Sequence, residues 1–166
     1  MSGKNKKTYK REEVLDWDEV FMLMPELIAK RSKDPNTQTG ACIVNKDNIV
    51  VGLGYNGFPK GCSDDKFPWC REGDTLNNKY TYVVHAEANA ILNSNSSVDG
   101  CRLYATLFPC NECAKLIIQS GIKEVVYNSD KYADVDIFKA SRQMLKEAGV
   151  KLKQYHPKHK LIINKI

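Results

Sequence analysis

No apolar run in these 166 residues is long enough to cross a membrane, which sets aside membrane-spanning classes. No segment repeats along the chain and no composition break marks a second domain. The basic start, MSGKNKKTYKREE, has no apolar stretch behind it. It does not read as a secretory signal, and the expected location is the cytoplasm. Histidine is scarce: three residues, His85, His156 and His159, the last two close to the C-terminus. Cysteine is not scarce. The six are Cys42, Cys62, Cys70, Cys101, Cys110 and Cys113. With no secretory signal, they read as metal ligands or buried thiols rather than as a disulfide framework.

What is present is ordinary globular composition, 42% hydrophobic and 27% charged, at a length that suits one domain with a proper core. The net charge of +5 is unevenly placed. Lys4, Lys6, Lys7, Lys10 and Arg11 precede the first acid, Glu12; set aside from the 25 basic residues, they leave the rest in balance with 20 acidic ones. A polynucleotide-binding face needs a basic stripe on the folded surface, whereas a basic tail is usually solvated. No nucleic-acid partner and no membrane partner is expected.

Asp16 and Glu19 have capping-box spacing. Trp17, Val20, Phe21, Met24, Leu27 and Ile28 follow at helical spacing as a core stripe, with Pro25 an awkward interruption. Gly40–Val44 and Ile49–Leu53 flank Asn45–Asn48 as a hairpin. Residues 56–80 are rich in Gly, Pro, Asp and Asn and read as one long functional loop. A helix over 86–92 follows, then a strand at 103–107 and a helix over 111–120 capped by Gly121. A strand at 125–127, a helix through Ile137, Phe138, Met144, Leu145 and Ala148 capped by Gly149, and a closing strand at 150–155 complete the order. This alternation predicts an α/β fold, a three-layer α/β/α sandwich around a mixed five-stranded sheet. The domain is placed at 14–156, with basic, loosely ordered tails at 1–13 and 157–166.

His85-Ala-Glu87 and Pro109-Cys-Asn-Glu-Cys113 carry the chemistry. Cys110 and Cys113 lie three apart at a helix start, so their sulfurs face one way and the helix N-terminus favours thiolates. With His85 they make a three-ligand Zn2+ site whose open fourth position takes water, the mark of a catalytic zinc. The metal brings that water's pKa towards neutrality and supplies hydroxide. Glu87 need not be a ligand; it can shuttle the proton. Pro109 suits a first helical turn. A structural zinc or a redox Cys-x-x-Cys is the plainer alternative. The first needs a fourth protein ligand, for which Cys42, Cys62, Cys70 and Cys101 are available, and the second has no use for His85 and Glu87. A second zinc at Cys62 or Cys70 lacks a clear ligand set.

The chain resembles the deoxycytidylate deaminases of the cytidine deaminase superfamily from about Trp17 to Tyr155. The resemblance is carried by Arg31-Ser-Lys-Asp-Pro35, Gly54-Tyr-Asn-Gly57, Cys62-Ser-Asp-Asp65, Lys79-Tyr-Thr-Tyr-Val83, His85-Ala-Glu-Ala-Asn89, Phe108-Pro-Cys-Asn-Glu-Cys-Ala114, Gly121-Ile-Lys-Glu-Val125 and Ser129-Asp-Lys-Tyr132. It implies a cytidine deaminase-like fold and hydrolysis of deoxycytidylate (dCMP) to dUMP and ammonia, supplying dUMP for dTMP synthesis. It implies zinc on His85, Cys110 and Cys113 with Glu87 as the catalytic proton shuttle. It places the sugar at Asn56, the base against Val83, Val84 and Ala86, and Tyr132 over the nucleotide. Arg31, Lys33 and Thr37 are nearest the phosphate by motif. It further implies a homo-hexamer activated by dCTP with Mg2+ and inhibited by dTTP, with Gly57, Phe58, Pro59 and Lys60 as an effector contact. Two other functions share the metal chemistry: a deaminase acting on RNA or single-stranded DNA, which should carry a basic, aromatic-rich face, and a non-catalytic zinc module, which has no need of Glu87.

Overall fold

The computed structural model describes residues 10–165; Lys4, Lys6 and Lys7 of the basic N-terminal cluster lie outside the described residues. The elements run α1 (Trp17–Ala29), β1 (Gly40–Val44), β2 (Val50–Tyr55), α2 (Ala86–Leu92), β3 (Arg102–Leu107), α3 (Asn111–Gln119), β4 (Glu124–Ser129), α4 (Asp136–Glu147) and β5 (Lys151–Gln154), with a single 3-10 turn at Lys79–Thr81 between β2 and α2. One mixed sheet has the strand order β2-β1-β3-β4-β5. β1 pairs antiparallel with β2 and β3, and β3, β4 and β5 run parallel, joined through α3 and α4.

Alternation along the strands sorts the core into two clusters. Cys42, Val44, Tyr104 and Val126 face α1 through Phe21 and Met22. Ala41, Ile43, Leu103, Ala105 and Val125 face the other way, against Ala86 and Ala90 of α2, Ile117 of α3 and Leu145 of α4. The result is the three-layer sandwich expected from the element order, with one helix on one face and three on the other.

α1 corrects two expectations. Asp16 Oδ1 does accept the Glu19 N–H at 2.8 Å. Glu19 does not return the bond; its carboxylate is 1% exposed and accepts from the Tyr155 hydroxyl and the backbone N–H groups of Lys158 and His159. The buried face carries Phe21, Met22, Pro25 and Ala29, while Trp17 and Leu27 of the expected stripe stand exposed. Pro25 explains the shift. Its carbonyl lies 2.0 Å from where a Cβ on Gly40 would be, so the helix meets β1 along the proline face. A second close approach sets the site: a Cβ on Gly54 would fall 2.2 Å from the Ala86 carbonyl. That contact holds the start of α2, and with it His85, down on β2.

The long segment after β2 contains no further strand or helix except the turn at Lys79–Thr81. It packs on its own aromatics, with Phe58 4.1 Å from Trp69 and Phe67 4.8 Å from Tyr82 between ring centroids. Beyond β5 the chain forms no helix or strand up to residue 165 and bends at Lys158 and His159. No helix among the described residues is long and apolar enough to cross a membrane.

Candidate active site and metal centre

Two chain segments deliver the chemistry to one end of the sheet. His85 is the N-cap of α2 and Cys110 the N-cap of α3, both with extended backbone. β3 carries the chain through Phe108 and Pro109 to Cys110, and Cys113 follows one turn into α3. Cys110 Sγ lies 3.3 Å and Cys113 Sγ 3.5 Å from His85 Nδ1, and the three donor atoms all lie within 4.8 Å of one another. In a tetrahedral zinc site with Zn–S near 2.3 Å and Zn–N near 2.05 Å, sulfur and nitrogen sit about 3.6 Å apart. Two thiols and an imidazole at these separations fit Zn2+, and among the described residues no other His, Cys, Asp or Glu group gathers in this way.

The electrostatics suit a cation. The Cys110 thiol is pulled down to about 4, first by the hydrogen bond from Cys113 and then by His85. His85 is lifted to about 9, chiefly by that contact with Cys110. Cys113 moves up, through its bond to Cys110 and through burial. Binding a dication releases that remaining proton, since both sulfurs ligate as thiolates. Glu87 is not one of the three donors. It sits in the first turn of α2, 7% exposed, with Oε2 3.5 Å from Cys113 Sγ, and burial pushes its carboxyl upward.

His85, Glu87 and Cys110 line a cavity of about 520 Å³. Of the residues expected around a substrate, Asn56, Val83, Tyr132 and Thr37 line it. Ala86 is buried behind it. Val84 exchanges backbone bonds with Gly57, at 2.9 and 3.1 Å, which ties the Gly57–Lys60 loop to the residue before His85. Arg31 and Lys33 are not brought to the cavity; Lys33 pairs with Asp64 on the surface. Asn56 is held rather than free. Its Oδ1 accepts from the Thr39 N–H, and its Nδ2 donates to the Thr37 carbonyl and to Asp34.

Among the lining residues that sequence reasoning missed are Asp34, Lys79 and Arg71. Asp34 and Lys79 lie within motifs already singled out, where a charged loop residue reads as solvated. The signal that could have found them is a lysine and an aspartate of complementary charge flanking the same glycine- and proline-rich segment. Arg71 donates to Thr37 Oγ1 at 2.8 Å. Against the effect of burial, the charges of Lys131 and Arg71 hold the Tyr132 hydroxyl below its ordinary range. Lys131 Nζ sits 4.9 Å from the Tyr132 ring centroid, and Arg71 lines the cavity with Tyr132.

Residues 15–129 match the family model described as the cytidine and deoxycytidylate deaminase zinc-binding region. The chain is 58% identical to a probable deoxycytidylate deaminase of Drosophila melanogaster, over 96% of this chain and 82% of that one. It is 56% identical to the deoxycytidylate deaminase of Homo sapiens, over 93% and 88%. Among solved structures it resembles the dCMP deaminase of cyanophage S-TIM5 in complex with dCMP and dUMP, with a TM-score of 0.67 and 30% identity over 83% of this chain and 96% of that one.

Proposed function

The chain belongs to the cytidine and deoxycytidylate deaminase family and is a hydrolytic deaminase, and we propose that it converts dCMP to dUMP and ammonia. The observation that carries this reading is the buried Glu87 carboxylate beside the His85–Cys110–Cys113 donor set, in a cavity that Arg71 also lines. The relatives' activity and the dCMP and dUMP held by the S-TIM5 enzyme support the choice of nucleotide.

His85, Cys110 and Cys113 would hold zinc, which when bound supplies a water acidified to a pKa of about 7. Glu87 does the proton work. Its carboxylate takes the proton of the attacking water and returns it to ring nitrogen N3. It then passes the second water proton to the exocyclic amine. The C4–N bond breaks, ammonia leaves, the water oxygen remains as the carbonyl, and Glu87 ends as it began. Val83 bounds the base and Tyr132 closes over the nucleotide. We assign the phosphate to Arg71 and Lys131, in place of Arg31 and Lys33, because the charges of both act on Tyr132 and Arg71 lines the cavity.

The resemblance extends the reading to a cytoplasmic homo-hexamer that supplies dUMP for dTMP synthesis, activated by dCTP with Mg2+ and inhibited by dTTP. The Gly57–Val84 bridge supports the effector role of Gly57, Phe58, Pro59 and Lys60, since a shift there moves the chain next to His85. Ammonia release from dCMP, CMP, deoxycytidine and a cytosine-containing single strand, each with and without dCTP and Mg2+, tests the whole. Turnover confined to dCMP and raised by dCTP is expected; turnover only on the strand overturns the substrate.

A further inference from the structure

The cavity wall contains a buried ion pair that the deamination chemistry does not use. Lys79 Nζ lies 2.5 Å from Asp34 Oδ2, with the two side chains 6% and 2% exposed, and both residues line the cavity together with His85 and Glu87. Removing two charges from water is costly, and such a pair is stabilised only where further hydrogen bonds complete it. Asp34 is completed. Its Oδ1 accepts the N–H groups of Asn36 and Thr37, and its Oδ2 accepts from Lys79 and from Asn56 Nδ2. Asn56 has likewise spent both amide protons, on Asp34 and on the Thr37 carbonyl. Lys79 has not. An ammonium carries three protons, and Asp34 takes one.

We propose that Lys79 is a substrate-positioning residue whose free N–H groups donate to the sugar hydroxyl of the bound nucleotide. The inference rests on the deaminase reading above. Three features favour a neutral hydroxyl over the phosphate. Asp34 already balances the Lys79 charge, which suits a neutral acceptor, whereas Arg71 donates to the Thr37 hydroxyl rather than to a carboxylate. Lys79 is buried while Arg71 stands exposed, so their order from floor to rim is that of base, sugar and phosphate. Finally, Lys79 and Asn56 share Asp34 Oδ2, which sets the amide beside the ammonium. The second lone pair of Asn56 Oδ1 is then available for the proton of the same hydroxyl.

The test is a cycle between residue and substrate. The zinc-loaded enzyme and Lys79→Met are each assayed on dCMP and on the analogue without its 3′-hydroxyl. A hydrogen bond to a charged group predicts a loss of tenfold or more, on the order of a hundredfold at the upper end, when wild type loses the hydroxyl. Lys79→Met should lose that much on dCMP yet treat the two substrates alike within about twofold, with Lys79→Arg partly restoring the preference. If Lys79→Met folds poorly, Asp34→Asn/Lys79→Met, which leaves no buried charge, takes its place, with zinc content and circular dichroism as checks of integrity. A preference for the hydroxyl that survives in the variants overturns the proposal, as does a wild type indifferent to it. Absence of wild-type turnover with zinc bound would instead overturn the deaminase reading itself.

Discussion

The Ser141 hydroxyl donates to the Pro109 carbonyl at 2.8 Å, and both lie in the buried contact between α4 and the turn that presents Cys110. Ser141 is 0% exposed, and the next residue, Arg142, stacks its guanidinium 4.2 Å from the centroid of Phe108. α4 thus braces the metal turn from behind. Ser141→Ala leaves a buried carbonyl unpaired and should cost about 1–3 kcal/mol of stability. It should also weaken zinc about 10–100-fold, as loss of a ligand's supporting bonds does. Thermal unfolding with and without metal, and zinc competition against a chelator, measure the two effects. Unchanged zinc affinity would remove the bracing role.

Glu87 and Cys110 should separate chemistry from metal binding. Glu87→Gln keeps the size of the side chain but cannot carry a proton, and turnover should fall about 10²–10⁴-fold with zinc retained. Cys110→Ala should lose zinc and unfold at lower temperature, because metal binding is coupled to folding. Metal analysis beside an ammonia assay distinguishes them. A Glu87→Gln enzyme that turns over normally would sink the proton-shuttle assignment.

The donor cluster of the candidate metal site is legible in the sequence and the cavity wall is not, and the difference is physical. His85, Glu87, Cys110 and Cys113 fall in two short motifs, so local helical spacing alone aims them. The sheet was legible for a similar reason: the short apolar run Gly40–Val44, buried throughout, and the glycines at 121 and 149 act over a few residues. Asp34 and Lys79 come together across 45 positions of chain, a pairing that no local pattern encodes. Arg71, likewise, reaches Thr37 only because the aromatic cluster of Phe58, Phe67 and Trp69 folds its loop back. The buried face of α1 was misread at Trp17 and Leu27 because the fit of Pro25 over Gly40, not helical periodicity, sets the helix rotation.

Arg71 gives a direct test of the phosphate assignment. Arg71→Ala removes a cation and its bond to Thr37 at the rim, and leaves the metal ligands untouched. KM for dCMP should rise about tenfold or more, as expected for a lost charged hydrogen bond, while kcat at saturating dCMP should change little. A fall in kcat with KM unchanged would show that Arg71 shapes the loop rather than reads the charge.

Glu19 predicts an acid limit to stability. Burial alone would push its carboxyl up, but hydrogen bonds from the Tyr155 hydroxyl, the Lys158 and His159 N–H groups and the His159 ring outweigh that and hold it at about 2, against an ordinary 4.5. A carboxyl depressed in the folded state stabilises the fold fully above its unfolded pKa, and that contribution drains away as pH falls towards the folded value. The window is therefore roughly pH 4.5 down to 2. Chemical denaturation across it should show stability falling with acid, and Glu19→Gln should flatten that slope. At neutral pH the same variant should already be about 1–3 kcal/mol less stable, because the amide turns an N–H towards donors that the carboxylate had satisfied. The bonds run from α1 to the segment after β5, so hydrogen exchange should rise first at Lys158 and His159. A variant that keeps the wild-type acid slope would mean that other carboxylates, not Glu19, set the limit.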